Sequence, residues 1–153
     1  MKRIGMGLVG PGFVGMHHID AVRRLGFVDV VAIADGDDTL AREKASAIGA
    51  PKAYGSFEAL ARDPDVDVIH NTTPNFLHGP VIRAAIAHGK HIISEKPLAS
   101  SATEAHALWR AAADAGIVHA VTFNYRGNPL VQQARKDGLD KSQASADRLI
   151  AIQ

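Results

Sequence analysis

The sequence predicts an α/β fold with a doubly wound parallel sheet. Apolar strand-like runs alternate with amphipathic helical stretches, a pattern that implies parallel strands joined by right-handed crossovers. Glycines stand where the helical stretches should stop, at Gly26, Gly49, Gly89 and Gly116. A glycine-rich turn, Gly10-Pro-Gly12-Phe-Val-Gly15, links the first strand to the first helix.

Residues 2–9 alternate and then run apolar through Ile4, Met6, Leu8 and Val9, as a buried first strand should. Residues 13–25 carry Val14, Ile19, Val22 and Leu25 at near-helical spacing, closed by Gly26. Residues 29–34 read as a second strand ended by Asp35. A helix over 38–48 is closed by Gly49, and Ala53-Tyr54 has room only for a short edge strand. A small helix over 56–61 stops before Asp63-Pro64, and residues 66–71 form a strand. A helix over 77–87, a strand over 91–94, and a helix that opens on the capping box Ser101-Ala-Thr-Glu104 and runs to Ala115 follow. Residues 118–123 make the last clear strand.

The glycine turn carries the first functional signal. Gly10 permits the tight turn, Gly12 lets backbone approach a pyrophosphate, and Gly15 lets helix and strand pack closely. Phe13 and Val14 open the helix, whose amino terminus offers unpaired N–H groups and a positive dipole to phosphate. Asp35 stands about twenty residues beyond Gly15, where this fingerprint places an acid that hydrogen-bonds the adenosine ribose. Strand, helix, second strand and acid together point to a Rossmann-type dinucleotide site. Asp35, Asp37 and Asp38 make the ribose end acidic, which disfavours a 2′-phosphate, so NAD is expected over NADP. Asp37 and Asp38 also suit an N-cap and first-turn position, and Arg42 and Lys44 are placed on the solvent face of the helix.

Composition narrows the remaining classes. The chain has 153 residues, formal charge +1 and 46% hydrophobic content, the profile of an ordinary globular domain. No basic stripe supports nucleic-acid binding, and no long apolar run implies a membrane span. The chain opens directly into a strand, leaving no signal peptide to expect. The absence of cysteine excludes disulfides and thiol catalysis and is compatible with the cytoplasm. The eight histidines are scattered without a spacing that closes a metal site, so no metal is expected. Trp109 is read as a packing residue.

Ile93-Ser-Glu-Lys-Pro97 supplies the second signal. It is a strand that ends on Lys96 and is broken by Pro97. Ligands of open α/β sheets bind outside the carboxyl ends of the strands, so Lys96 would enter the cofactor crevice. A cation there stabilises the alkoxide that develops as a carbinol loses hydride. The spacing is equally compatible with a surface lysine paired with its neighbour Glu95.

The glycine turn, Asp35, Thr73-Pro74-Asn75-x-x-His78, Glu95-Lys96-Pro97 and Phe123-Asn124-Tyr125-Arg126 occur in this order. Together they resemble the amino-terminal half of the Gfo/Idh/MocA oxidoreductases, over residues 1 to about 136. The resemblance implies hydride transfer between NAD(P) and a hydroxyl or carbonyl of a sugar- or cyclitol-like substrate. It implies that Lys96 touches substrate and nicotinamide ribose and assists proton transfer, making it the catalytic residue. It also implies that Thr73, Pro74, Asn75, His78, Glu95 and Asn124 line the cofactor, with Glu95 at the nicotinamide ribose. Asn75 is open to simple helix capping as well, and Tyr125 and Arg126 stand within expected reach of substrate.

Residues 1–126 are thus expected to form the dinucleotide-binding domain, and residues 127–153 a shortened helix and a tail that matches nothing in the family. Residues 144–152 have helical character. Without the family's second domain, little turnover is expected, and the exposed domain interface favours self-association. The alternative is a non-catalytic module that senses NAD or binds a partner.

Overall fold

A computed structural model describes residues 3–139. The expected helical character of 144–152 lies outside them. The described chain divides after Val121 into two compact units.

The first unit holds six parallel strands in the order β3-β2-β1-β4-β5-β6. These are β1 (Ile4–Val9), β2 (Val28–Ala34), β3 (Lys52–Tyr54), β4 (Val68–Asn71), β5 (His91–Ser94) and β6 (His119–Val121). Its helices are α1 (Phe13–Leu25), α2 (Asp38–Ile48), α3 (Phe57–Ala61), α4 (His78–Ala87) and α5 (Ala102–Asp114). The fold is therefore the doubly wound parallel sheet that the alternation predicts.

Strand periodicity sorts the core into two layers. Met6, Leu8 and Ile33 face Ile19 and Val22 of α1 and Ala45 and Ile48 of α2. Val9, Ala32, Ala34 and Ile69 face the other way, against Leu60, Val81, Ile82, Ala85 and Leu108 of α3, α4 and α5. Gly7 in the central strand makes room for α3, because a Cβ there would lie 2.7 Å from Leu60 Cδ2.

The helix starts follow sequence chemistry. Asp37 Oδ1 accepts from the Thr39 and Leu40 N–H groups, Ser56 Oγ from Ala59 N–H, and Ser101 Oγ from Glu104 N–H. Asp38 instead accepts the N–H of Gly55 at 2.7 Å, tying α2 to the end of β3.

The second unit contains a 3-10 turn (Asn124–Gly127) and α6 (Pro129–Leu139). Asn128 Oδ1 accepts the Leu130 N–H at 2.9 Å, and Pro129 needs no partner in the first turn.

Candidate functional site

The strand register aligns the last residues of four neighbouring strands, Ala34, Val9, Asn71 and Ser94. One residue further on, Gly10 N–H donates to Ala34 O, Thr72 N–H to Val9 O and Glu95 N–H to Asn71 O, at 3.0, 2.9 and 2.9 Å. Asp35, Gly10, Thr72 and Glu95 thus form a row along the carboxyl edge of the sheet. The order in which strands are added reverses at β1 and β4: from β1 the sheet grows through β2 to β3, and from β4 it grows the other way through β5 to β6. That reversal is where open α/β sheets form their ligand crevice.

The glycine loop rises from this row. Gly10 has φ +80°, a conformation that costs a side-chain-bearing residue, and a Cβ there would lie 2.9 Å from Thr72 O. Gly15 is packed just as tightly: a Cβ would meet Gly10 O and Thr72 Oγ1 at 2.9 Å and Leu8 Cδ2 at 3.1 Å. Gly12 differs. Only Gly10 O, at 4.0 Å, lies near its missing Cβ, so the protein itself leaves that space open. Gly12 is also the N-cap of α1, and no side chain caps the helix. An exposed, uncapped helix start with an open approach at Gly12 fits a phosphate group. Phe13 and Val14 are exposed on the crest of the loop.

Thr72, to which sequence reasoning gave no role, ties the loop to β4. Its hydroxyl lies 2.7 Å from Gly10 O and 3.1 Å from Val9 O. Asp35 stands at the end of β2, where its Oδ1 accepts the Gly36 N–H at 2.7 Å and its Oδ2 accepts from Lys44 Nζ at 2.6 Å. Lys44 therefore does not lie on the outer face of α2 but reaches back to the strand end. Helical spacing describes a face, whereas this contact crosses the turn between β2 and α2.

Beyond β4, Thr73 is half-buried and Pro74 and Asn75 are exposed. A 3-10 turn (Asn75–Leu77) leads into α4, and neither it nor α4 has a side-chain cap, so Asn75 is not a capping residue. His78 is only 1% exposed. Its Nδ1 lies 2.6 Å from Pro97 O and its Nε2 2.9 Å from Thr73 O, so both ring nitrogens are committed to main chain.

Beyond β5, Glu95 is half-buried and Lys96 is exposed, with a cis peptide bond to Pro97. Glu95 Oε1 lies 3.2 Å from His18 Nε2, and Oε2 accepts the Lys96 N–H at 3.3 Å. His18 Nδ1 in turn lies 3.0 Å from His70 Nδ1. Burial, and then the neighbouring His18, lower the His70 pKa to about 4, so that ring is neutral at pH 7. Sequence spacing gave these histidines no partner, because the pair joins α1 to β4. Asn124 opens the 3-10 turn of the second unit. Among the described residues, no group of three or more His, Asp or Glu side chains is placed to hold a metal ion, and no helix is long and apolar enough to cross a membrane.

A family described as "Oxidoreductase family, NAD-binding Rossmann fold", Gfo/Idh/MocA, matches residues 4–123. The levoglucosan dehydrogenase of Pseudarthrobacter phenanthrenivorans is 38% identical, over 89% of this chain and 37% of that protein. A D-xylose 1-dehydrogenase (NADP(+)) of Haloferax volcanii is 36% identical, over 84% of this chain and 39% of that protein. A solved levoglucosan dehydrogenase in complex with NADH and levoglucosan superimposes with a TM-score of 0.80 at 35% identity, over 89% of this chain and 40% of that one. This chain spans about two fifths of the length of these relatives. By the matched residues, the glycine loop and the sheet order, the chain belongs to the Gfo/Idh/MocA oxidoreductase family and is an NAD-binding Rossmann fold.

Proposed function

We propose that this chain is the cofactor-binding half of a dehydrogenase that moves hydride between NAD(H) and a hydroxyl or carbonyl carbon of a sugar- or cyclitol-like substrate. The observation that carries the reading is the row Asp35–Gly10–Thr72–Glu95 at the sheet's reversal point, with an uncapped helix start beside it.

In this reading the backbone at Gly12, Phe13 and Val14 holds the pyrophosphate and Asp35 holds the adenosine ribose hydroxyls. Gly10 and Gly15 allow the loop its close packing. Thr73, Pro74 and Asn75 line the nicotinamide side, and Glu95 takes the nicotinamide ribose. His78 acts from beneath the surface. The bound nicotinamide supplies the hydride chemistry. Lys96, exposed beside Glu95, stabilises the alkoxide that develops as hydride leaves the carbinol and takes part in moving its proton. The names of the relatives, for levoglucosan and D-xylose, support a sugar-class substrate. The carboxylates of Asp35, Asp37 and Asp38 favour NAD over NADP by repelling a 2′-phosphate. With Lys96 open to water, turnover is slow until substrate is enclosed from the other side.

Calorimetric titration with NAD⁺ and NADP⁺ tests the binding half of the proposal. Tighter binding of NAD⁺, lost in Asp35→Ala, is the expected result; no binding of either dinucleotide overturns it. NADH formation with a panel of sugars and cyclitols tests the chemistry. Lys96→Met should lower kcat by about a hundredfold or more, and unchanged turnover removes Lys96 from the mechanism.

A further inference from the structure

We propose that Asn71 and His78 are positioning residues for the nicotinamide half of the cofactor, acting through the two loops they join. The inference rests on the dinucleotide-binding reading above.

Asn71 is 0% exposed and closes β4. Its Nδ2 donates to Ser94 Oγ at 3.1 Å and to His78 O at 3.4 Å. Its Oδ1 accepts from Thr73 Oγ1 at 2.7 Å and from Thr73 N–H at 3.3 Å. His78 continues the network from Thr73 O to Pro97 O. Two side chains therefore fix the main-chain N–H and C=O of Thr73 and join them to the carbonyl of Pro97, the residue after Lys96. Ser94 is 1% exposed, so three polar side chains lie together in the interior.

Such a network is costly unless every polar atom is satisfied, and an apolar filling of similar volume would serve packing alone. The Asn71 amide is matched by the Ser94 and Thr73 hydroxyls and by main chain, whereas the His78 ring faces a carbonyl oxygen at each nitrogen, of which a neutral ring donates to one. What the arrangement adds over a leucine is direction: it sets where Thr73, Asn75, Glu95 and Lys96 stand. The adenosine end is supported separately. Gly10 is held by Thr72 and Ala34, and Asp35 by Gly36, Tyr54 and Lys44. Loss of the network should thus be felt at one end of the dinucleotide and not at the other.

ADP-ribose, which has both phosphates and the adenosine but no nicotinamide, separates the two ends. Calorimetric affinities for NAD⁺ and ADP-ribose are compared in the parent chain, Asn71→Leu, His78→Leu and the conservative His78→Gln. The expected result is NAD⁺ binding weakened about tenfold in the leucine variants, with ADP-ribose changed less than about twofold. His78→Gln should recover part of the loss. A protein held together merely by these residues would lose both ligands in parallel, and that outcome overturns the proposal. So does a parent chain that binds NAD⁺ no more tightly than ADP-ribose. Should a leucine variant fail to fold, Ser94→Ala decides: it removes one acceptor of Asn71 Nδ2 with little change in packing. A roughly threefold loss confined to NAD⁺ supports the role, and equal affinities in parent and variant refute it. Failure of the parent to bind ADP-ribose is a different result. It removes the dinucleotide reading itself, and this inference with it.

Discussion

Lys44 Nζ stands 2.6 Å from Asp35 Oδ2, so the acid at the end of β2 carries its own cation. The side chains are 39% and 20% exposed, and the pair adds little to stability. Its significance is electrostatic. Lys44 offsets part of the acidic charge that, in the proposed reading, Asp35, Asp37 and Asp38 set against a 2′-phosphate. Removing it in Lys44→Met should leave NAD⁺ binding nearly intact and weaken NADP⁺. A single charge at this range in high dielectric contributes about 1 kcal/mol, so the NAD⁺ to NADP⁺ affinity ratio should widen about fivefold. Calorimetry with both dinucleotides measures this, and an unchanged ratio shows that Lys44 does not face the 2′-position.

The contact between His18 Nε2 and Glu95 Oε1, at 3.2 Å, links the helix that starts at the glycine loop to the residue before Lys96. Glu95 has other partners as well, so deleting His18 should loosen it without freeing it. A double-mutant cycle of His18→Leu and Glu95→Gln, read by chemical denaturation, should give a coupling of about 1 kcal/mol. A coupling indistinguishable from zero would mean that the two side chains are neighbours without interaction.

The glycine punctuation made much of the fold legible. The helices expected over 13–25 and 38–48 are Phe13–Leu25 and Asp38–Ile48, each closed by a glycine in the left-handed conformation. Strand limits were less legible because hydrophobicity reports burial, not pairing. Val66 is 1% exposed and belongs to the core, yet β4 starts at Val68. The expected strand over 118–123 shortens to His119–Val121 for a related reason. Val118 is 69% exposed and its N–H is taken by His91 Nδ1.

The candidate site was legible where its residues follow chain order and hidden where it depends on register. Gly10, Gly12, Gly15 and Asp35 announce themselves by spacing. Asn71 and Ser94 do not, because their contact exists only when β4 and β5 pair with Asn71 opposite Ser94. An asparagine ending an apolar strand was the one available signal, since a buried amide needs partners nearby. His18 and His70 were hidden in the same way, fifty-two residues apart in sequence and 3.0 Å apart in space.

His70 should make the fold sensitive to acid. Burial, and then His18, hold its native pKa at about 4, against an ordinary value of 6.5. Between those values the unfolded chain binds a proton that the native chain refuses, so stability falls as pH drops from about 6.5 to about 4. The full contribution is roughly 3 kcal/mol, present above pH 6.5 and lost below pH 4. His70→Leu should flatten this part of the stability profile, leaving the losses due to carboxylate protonation at lower pH. Urea denaturation at intervals of half a pH unit provides the comparison. Parallel profiles for parent and variant would assign the acid sensitivity elsewhere.

Gly15 and Gly26 lie at the two ends of the same helix region and should respond oppositely to alanine. At Gly15 the new Cβ would be forced to within 2.9 Å of Gly10 O and Thr72 Oγ1, both of them fixed parts of the loop and its anchor. Relief requires α1 to move away from β1 and β4, which distorts the glycine turn. Gly15→Ala should therefore cost about 1–3 kcal/mol and abolish measurable NAD⁺ binding. At Gly26 nothing lies within 4 Å of the Cβ position, and only the left-handed φ of +75° resists substitution. Gly26→Ala should cost about 1 kcal/mol through backbone strain and leave NAD⁺ affinity unchanged. Denaturation and calorimetry on the two variants separate a glycine kept for close approach from one kept for its φ angle. Equal loss of binding in both would show that affinity follows global stability and not the geometry of the loop.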